Sequence, residues 1–302
     1  MIDNIRRARA YLSAVSHPPA IALSGLISAA GPVEAAAMVR GGSAVTANLV
    51  SARQSIDPEA LLPQIEELGG RLVIPEDDEW PTALNDLDVL VPDHELSCSP
   101  IALWVLGSAQ LCEITSGSVA VVGSRAATAY GEHVAGEISY CLADAGSTVL
   151  ASSGFGVDSA AHRGALATKA GRCVAVMGCG VDVTSPAVHH TLLQQVVARG
   201  MMVSELPLGR RPSLKGSQAR DRVVAALASG VVVVESGYRG QVLRVASSAA
   251  VLDRPVMAVP GPVTSSLSAG PHLLIRERGA RLVTCASDVL RSISYGSLTM
   301  EG

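Results

Sequence analysis

The sequence predicts an α/β protein with a doubly wound, mostly parallel sheet, preceded by a small helical domain. From residue 118 onward, short apolar, β-branched runs alternate with amphipathic segments of helical periodicity. Most of the runs are continuously apolar and do not alternate with polar residues, which is typical of strands buried on both faces of a parallel sheet. Each run ends near Gly, Ser or Pro, where a turn begins. The predicted strands are 119–123, 148–152, 173–178, 201–205, 231–235, 256–260 and 281–284.

Helices are predicted between these strands, at 132–145, 159–170 and 188–199 among others, because apolar residues recur there every three or four positions. Residues 1–55 are Ala-rich with the same periodicity and predict the small helical domain. Residues 56–117 are acidic and contain six prolines, which predicts a connector with short strands in RLVIP and ALWVLG. We therefore divide the chain into 1–55, 56–117, a main domain at 118–293 and a tail at 294–302.

Composition restricts the class of protein. The chain has 302 residues, of which 48% are hydrophobic and 17% charged, so a large core is expected. No apolar stretch reaches the roughly 18–20 residues of a membrane-spanning helix, and the N-terminus lacks the apolar segment of a secretory signal. The six cysteines are scattered without a CxxC pair, which favours reduced, mostly buried thiols over a zinc site. We expect a cytoplasmic protein without a metal or cofactor.

The net charge of −4 argues against a nucleic-acid partner, but the charges are unevenly distributed. Residues 57–95 contain twelve acidic residues and one base, Arg71, so the remainder of the chain carries a net charge of +7 (22 bases minus 15 acids). The local field decides where a polyanion binds. A solvated acidic linker beside a mildly basic domain explains the same numbers.

The loops that follow the predicted strands are the places to look for a ligand, because ligands of such sheets bind at the carboxyl ends of the strands. The first loop contains Gly123, Ser124 and Arg125, and the second contains Ser153, Gly154 and Gly156. Glycine permits a tight turn, backbone N–H groups of a loop can donate hydrogen bonds to an anion, and an arginine can bind a phosphate. Structural turns are the alternative for both loops, and Asp158 suits an N-cap or first-turn position.

A third loop at 178–182 repeats this design, and a basic stretch follows it. Residues 209–222 contain five bases and one acid, among them Lys215, Arg220 and Arg222. A basic loop beside the carboxyl edge suits a phosphodiester backbone. A solvated charged loop is the alternative.

The motifs GSRAAT, SSGFGVDSAAHRGAL, VAVMGCGVD, RDRVVAALAS and VMAVPGPVTSSLSAGPHLLIRERGARLV, in this order, closely resemble the DNA-processing protein A family (DprA, also called Smf). The likeness covers about 118–293, and the N-terminal part resembles the family's SAM-like domain. The resemblance implies an extended Rossmann fold, a homodimer, binding of single-stranded DNA and its transfer to the RecA recombinase during transformation and recombination.

The sequence departs from the family pattern at several positions. Phe155 stands at an arginine position of the second loop, so that either a phosphate contact is missing or the ring stacks on a base. Ser217 replaces an aromatic residue and Asp221 an amide, although Arg220 and Arg222 remain. The turn after the strand at 231–235 is altered, with Arg239 ahead of it. We expect no C-terminal winged-helix module of the kind that many members carry.

The predicted function is therefore a single-stranded-DNA-binding recombination mediator that protects incoming DNA and helps to load a RecA-type recombinase, and not an enzyme. The predicted DNA-binding residues are Gly123, Ser124, Arg125, Ser153, Gly154, Gly156, Lys215, Arg220, Arg222 and Arg239. Two alternatives stay open. One is a dimer of this type that has lost DNA binding. The other is a Rossmann-type nucleotide phosphoribohydrolase, although Pro260-Gly261 is not followed by the carboxylate that such enzymes use.

Overall fold

A computed structural model describes residues 2–42, 57–89 and 98–298 of the chain. The N-terminal part forms helices α1 (Ile2–Val15), α2 (Ile21–Ala30) and α3 (Pro32–Arg40). Their apolar faces pack together around Leu12, Leu23 and Val39, which are buried. This confirms the predicted helical segment, whereas position 55, its proposed boundary, lies outside the described residues.

Within the described residues, the sheet has nine strands in the order β1-β2-β6-β5-β4-β3-β7-β8-β9. The seven strands from β3 onward run parallel, as predicted. They are β3 (Val119–Val122), β4 (Val149–Ser152), β5 (Cys173–Val176), β6 (Met201–Ser204), β7 (Gly230–Val233), β8 (Val256–Ala258) and β9 (Arg281–Leu282).

Both short strands predicted in the acidic connector join this same sheet. β1 (Gly70–Val73) pairs antiparallel with β2 (Leu103–Leu106), and β2 pairs antiparallel with β6. An ion pair joins the connector to the N-terminal helices, since Arg6 of α1 contacts Asp77 at 2.7 Å. A second pair lies within the connector, where Arg71 contacts Glu79 at 2.6 Å. These acidic side chains are therefore partners of arginines and not a freely solvated linker. The division at 55, 117 and 293 remains a proposal.

Helices cover both faces of the sheet, which explains why the central strands are almost entirely apolar. Within β3, Val119 and Val121 pack into one apolar cluster while Ala120 and Val122 pack into the other. The helices are α4 (Pro58–Glu67), α5 (Asp86–Val89), α6 (Leu111–Thr115), α7 (Ala129–Asp144), α8 (Val157–Leu166), α9 (His190–Arg199), α10 (Leu214–Leu227), α11 (Val242–Val251), α12 (Ala269–Glu277) and α13 (Ala286–Leu298).

Among the described residues, no single helix is long and apolar enough to cross a membrane, and the helix pair that passes this test together, Ile21–Ala30 with Pro32–Arg40, is bent by 119°. The six cysteines are unbonded, but their burial varies: Cys141 and Cys285 are exposed, and Cys98, Cys173 and Cys179 are buried. Burial raises the pKa of Cys173 to about 12 and that of Cys179 to about 11, so both remain thiols at neutral pH.

Candidate nucleic-acid interface

Two clefts lie side by side at the carboxyl edge of the parallel strands. One, of about 390 Å³, is lined by the second loop, the residues after β5 and the start of α10. The other, of about 310 Å³, lies between the ends of β3 and β7, where the chain changes from one side of the sheet to the other. Ligands of open α/β sheets bind at this topological position. Arg125 and Arg220 line both clefts.

The first loop is held in place by a buried carboxylate. Glu235, directly after the end of β7, is 3% exposed and accepts hydrogen bonds from the backbone N–H and the hydroxyl of Thr128 at 2.8 and 2.6 Å. The N–H of Ser124 donates to the backbone carbonyl of Glu235 at 2.7 Å. These bonds fix the backbone on both sides of Arg125. The side chain of Arg125 is exposed and forms no ion pair in the described part of the chain.

The first and second loops touch at a glycine. Gly156 has φ +67°, and a Cβ atom there would lie 2.3 Å from the carbonyl oxygen of Ser124. A side chain at Gly123 would likewise meet Val157 at 2.5 Å. These two predicted DNA-binding glycines therefore allow the loops and α8 to pack closely. Gly154 and Ser153 line the larger cleft directly.

Asp158 and His162 of α8 lie beneath the second loop. The N-cap of α8 is Gly156, and Asp158 lies in the first turn, one of the two positions predicted for it. Asp158 is 8% exposed and accepts a hydrogen bond from the hydroxyl of Ser152. Burial raises the pKa of Asp158, while the hydroxyl of Ser152 and the charge of Arg220 oppose this shift. His162 is fully buried, with Nε2 at 3.0 Å from the carbonyl oxygen of Ser152. Burial lowers the pKa of His162 to about 4, so the ring is neutral at pH 7.

The basic stretch at 209–222, predicted as a loop, is helical from Leu214 onward because it forms the start of α10. The predicted bases of this stretch and Arg239 occupy different environments. Lys215 and Arg239 are exposed. Arg220 is partly buried and paired with Asp221 at 2.7 Å, and Asp221 also contacts Arg244 at 3.4 Å. Arg210 is directed towards the helical domain, since its guanidinium donates to the carbonyl of Ala14 at 3.2 Å. The basic stretch is therefore only partly free to meet an anion.

Arg222 requires a correction. Its side chain is fully buried and forms two hydrogen bonds of 2.7 Å with the carboxylate of Glu205 at the end of β6. A guanidinium in this position cannot reach a phosphate without disruption of the core. Loss of either partner would leave an unpaired charge in the protein interior, which strongly destabilises a fold. Arg222 therefore has a structural role. Arg222 is not part of the proposed DNA-binding site.

Comparison with known proteins identifies the relatives of this chain. The profile of the family described as DNA recombination-mediator protein A matches residues 71–294. The chain belongs to this family. A DNA processing protein DprA of Mycobacterium tuberculosis is 44% identical over 300 residues, which covers 98% of this chain and 77% of that protein. Protein Smf of Escherichia coli is 37% identical over 198 residues, which covers 65% of this chain and 52% of Smf.

Solved structures of the family share the fold. The crystal structure of DprA from Streptococcus pneumoniae superposes with a TM-score of 0.75 at 24% identity, covering 95% of this chain and 97% of the other. DprA from Helicobacter pylori, whose structure was described for its single-stranded DNA binding mode, has a TM-score of 0.62 at 20% identity, covering 74% and 96%. The Rossmann-like fold predicted from the sequence is thereby confirmed.

Three residues that shape the family's loops in this chain were not predicted from the sequence. Glu235 anchors the first loop, His189 contacts the second with Nδ1 at 2.9 Å from the carbonyl oxygen of Ser153, and Asp182 accepts from the N–H of Gly209 at 2.8 Å. Glu235 had a sequence signal, because a carboxylate directly after an apolar strand must be paired if it stays buried. The other two contacts join segments 27 and 36 residues apart, which no local pattern specifies.

Proposed function

We propose that this protein binds single-stranded DNA at the two clefts of the carboxyl edge and acts as a recombination mediator. The observation that carries the proposal is that the side chain of Arg125 is exposed and has no ion-pair partner among the described residues. It lies on a loop that Glu235 immobilises, between two clefts at the ligand-binding edge of the sheet. The described single-stranded DNA binding of the H. pylori relative supports the same ligand class.

The chemistry of the clefts suits a strand more than a duplex. Arg125 and Arg220 line the clefts and can neutralise phosphates, and Lys215 is exposed next to Leu214 of the larger cleft. Cations that neutralise phosphates, placed beside side chains that can contact unstacked bases, are typical of sites that bind single strands. Ser124, Ser153 and Arg239 complete the proposed contact surface.

We further propose that the protein forms a homodimer, protects incoming single strands in the cytoplasm and helps to load a RecA-type recombinase, without catalysing a reaction itself. These roles follow from membership of the family and from the proposed ligand. They can be tested by light scattering and by recombinase filament assembly on a strand already covered by single-strand-binding protein.

The decisive experiment is an anisotropy titration with a labelled 20-nucleotide single strand and a blunt duplex of equal length. We expect tighter binding to the single strand, and we expect Arg125→Ala to weaken it by about 1.5–3 kcal/mol, the range for a hydrogen bond to a charged group. Arg172→Ala is the matched control, because Arg172 is exposed at the opposite edge of the sheet, just before β5.

Equal or tighter binding of the duplex contradicts the proposal. Absence of binding to either ligand by a folded protein favours the alternative of a dimer that has lost DNA binding. Release of a free base from nucleoside monophosphates would instead support the phosphoribohydrolase alternative.

A further inference from the structure

Phe155, the only phenylalanine of the chain, occupies an unusual position for an aromatic residue. It lies in the second loop, after β4, and is 46% exposed. Its ring lines the larger cleft together with Arg125 and Arg220. Burial in the core does not explain an aromatic ring that stays exposed in a cleft with two cations. The position of Phe155 therefore favours a role in ligand binding.

The imidazole ring of His189 packs against the ring of Phe155. The ring centroids of Phe155 and His189 are 4.9 Å apart in a T-shaped contact with an interplanar angle of 62°. His189 is 7% exposed and donates from Nδ1 to the carbonyl of Ser153 at 2.9 Å, and the hydroxyl of Ser153 donates to the carbonyl of Ser185 at 2.6 Å. The loop and the ring are thus oriented before a ligand arrives, which reduces the entropy lost on binding.

The rest of the cleft complements this ring. Leu214 is 62% exposed on the wall formed by α10, and Pro186 and Pro212 also line the cleft. A nucleotide needs cations for its phosphate and a flat apolar surface for its base. The larger cleft offers both groups in one space, on side chains that other parts of the protein position.

We propose that Phe155 is a stacking platform for one base of the bound strand, with His189 as the positioning residue that orients it. This inference rests on the proposed function and adds a specificity element to it. The sequence leaves two interpretations of Phe155 open: a missing phosphate contact, or a ring that stacks on a base. The proposal selects the second, in which Phe155 supplies an aromatic contact where an arginine would supply a charged one. The sequence tolerance of the site then comes from the π-face that every base possesses.

The test crosses a protein variant with a change in the ligand. Binding of a 20-nucleotide oligo-dT is compared with binding of the same phosphodiester backbone carrying abasic residues throughout, for the wild type and for Phe155→Leu. Leucine keeps an apolar side chain but has no aromatic face. We expect Phe155→Leu to weaken binding of oligo-dT about tenfold, within the range for one base–aromatic stack, and to leave the abasic strand unaffected.

Three further variants sharpen the comparison. Tyr140→Leu removes an aromatic ring of 43% exposure from the far end of α7 and should change neither affinity. His189→Asn keeps a side-chain donor for the carbonyl of Ser153 but removes the ring behind Phe155, and should reduce the advantage of oligo-dT without weakening abasic binding. Phe155→Arg should bind the abasic strand more tightly than the wild type does and lose the advantage of oligo-dT.

Each result has a defined meaning. An equal loss for both strands in Phe155→Leu would show that the ring only supports the loop, and an unchanged affinity for both would show that it is idle; either outcome overturns the inference while the proposed function stands. If the folded wild type binds neither strand, both proposals fail together.

Discussion

At the scale of single residues, the charge available at the site depends on the partner of each arginine. Arg125 has no ion-pair partner among the described residues, Arg220 shares Asp221 with Arg244, and Arg222 is buried against Glu205. The sequence predicts Arg125, Arg220 and Arg222 in loops, whereas Arg220 and Arg222 lie on α10, and the sequence does not reveal the partners of these bases. Arg222 and Glu205 are 17 residues apart and meet only because α10 packs across the end of β6. Pairing of this kind is a property of the tertiary structure.

Asp221→Asn tests whether this pairing limits DNA binding. The carboxylate of Asp221 is 4% exposed and lies 2.7 Å from Arg220, so it neutralises a cation of the site. An amide keeps a hydrogen-bond acceptor but removes the charge. We expect the variant to bind single-stranded DNA about two- to fivefold more tightly, corresponding to about 0.5–1 kcal/mol for a partly exposed pair. Urea denaturation should show a loss of stability of about 1 kcal/mol, because two arginines lose their shared counterion.

The salt dependence provides an internal control for this variant. With Arg125, Arg220 and Lys215 as the three phosphate contacts, log affinity of the wild type should fall with log salt at a slope of about −2, from about −0.7 per contact. Asp221→Asn should make the slope steeper. Weaker binding by the variant would mean that Asp221 holds Arg220 in its productive position and does not compete with DNA.

At the scale of elements, the sequence predicts where the strands lie but not how the two short strands of the connector pair within the sheet. Most of the parallel strands are recognisable because burial on both faces favours a continuous apolar run. The observed bounds differ from the predicted ones by at most two residues at either end. The antiparallel insertion of β2 between β1 and β6 was not predicted. A strand of only four residues fits several sheet positions, and only packing of the whole sheet selects one.

The contact between the first and second loops can be tested at Gly156. An alanine there combines a left-handed φ of +67° with a Cβ only 2.3 Å from the carbonyl oxygen of Ser124. Gly146 has φ +89°, and a Cβ atom there would have no neighbouring atom within 4 Å, so this position isolates the backbone cost alone. We expect Gly146→Ala to lower the free energy of unfolding by about 1 kcal/mol and Gly156→Ala by about 3 kcal/mol or more, measured by urea denaturation.

The same pair of variants separates folding from binding. Gly156→Ala should also weaken DNA binding, because separation of the loops displaces Arg125, whereas Gly146→Ala should bind normally. Equal destabilisation by the two substitutions would mean that the loops move apart at little cost and do not form one rigid unit.

At the scale of the whole molecule, the N-terminal helices, the connector and the sheet are joined by charged side chains as well as by apolar packing. Arg6 and Arg9 of α1 pair with Asp77 and Glu76 of the connector, each at 2.7 Å. Arg254, which precedes β8, contacts Asp86 of the connector at 2.6 Å. The sequence shows an acidic segment and a basic remainder, and the structure explains this asymmetry in part by attraction between segments far apart in the chain. Part of the acidic charge is thereby neutralised within the protein and does not repel a polyanion.

His162 should make the stability of the whole protein depend on pH. Its pKa is lowered by burial from 6.5 to about 4 in the folded state, so the unfolded chain binds a proton between these values while the folded protein does not. Stability is therefore complete above about pH 6.5 and falls as the pH decreases towards 4. The difference between the two pKa values corresponds to a loss of about 3 kcal/mol. The raised pKa of Asp158 acts in the opposite direction, since its protonation stabilises the fold as the pH falls.

A comparison with His162→Gln isolates the histidine from Asp158 and the other acids. Glutamine can still donate to the carbonyl of Ser152, but it does not titrate. The difference in unfolding free energy between wild type and variant, measured in urea at pH 7 and pH 4, should shift by about 3 kcal/mol in favour of the variant at the lower pH. If the His162→Gln difference does not change with pH, the imidazole becomes protonated without cost, and the region beneath the second loop must open to water before the protein unfolds.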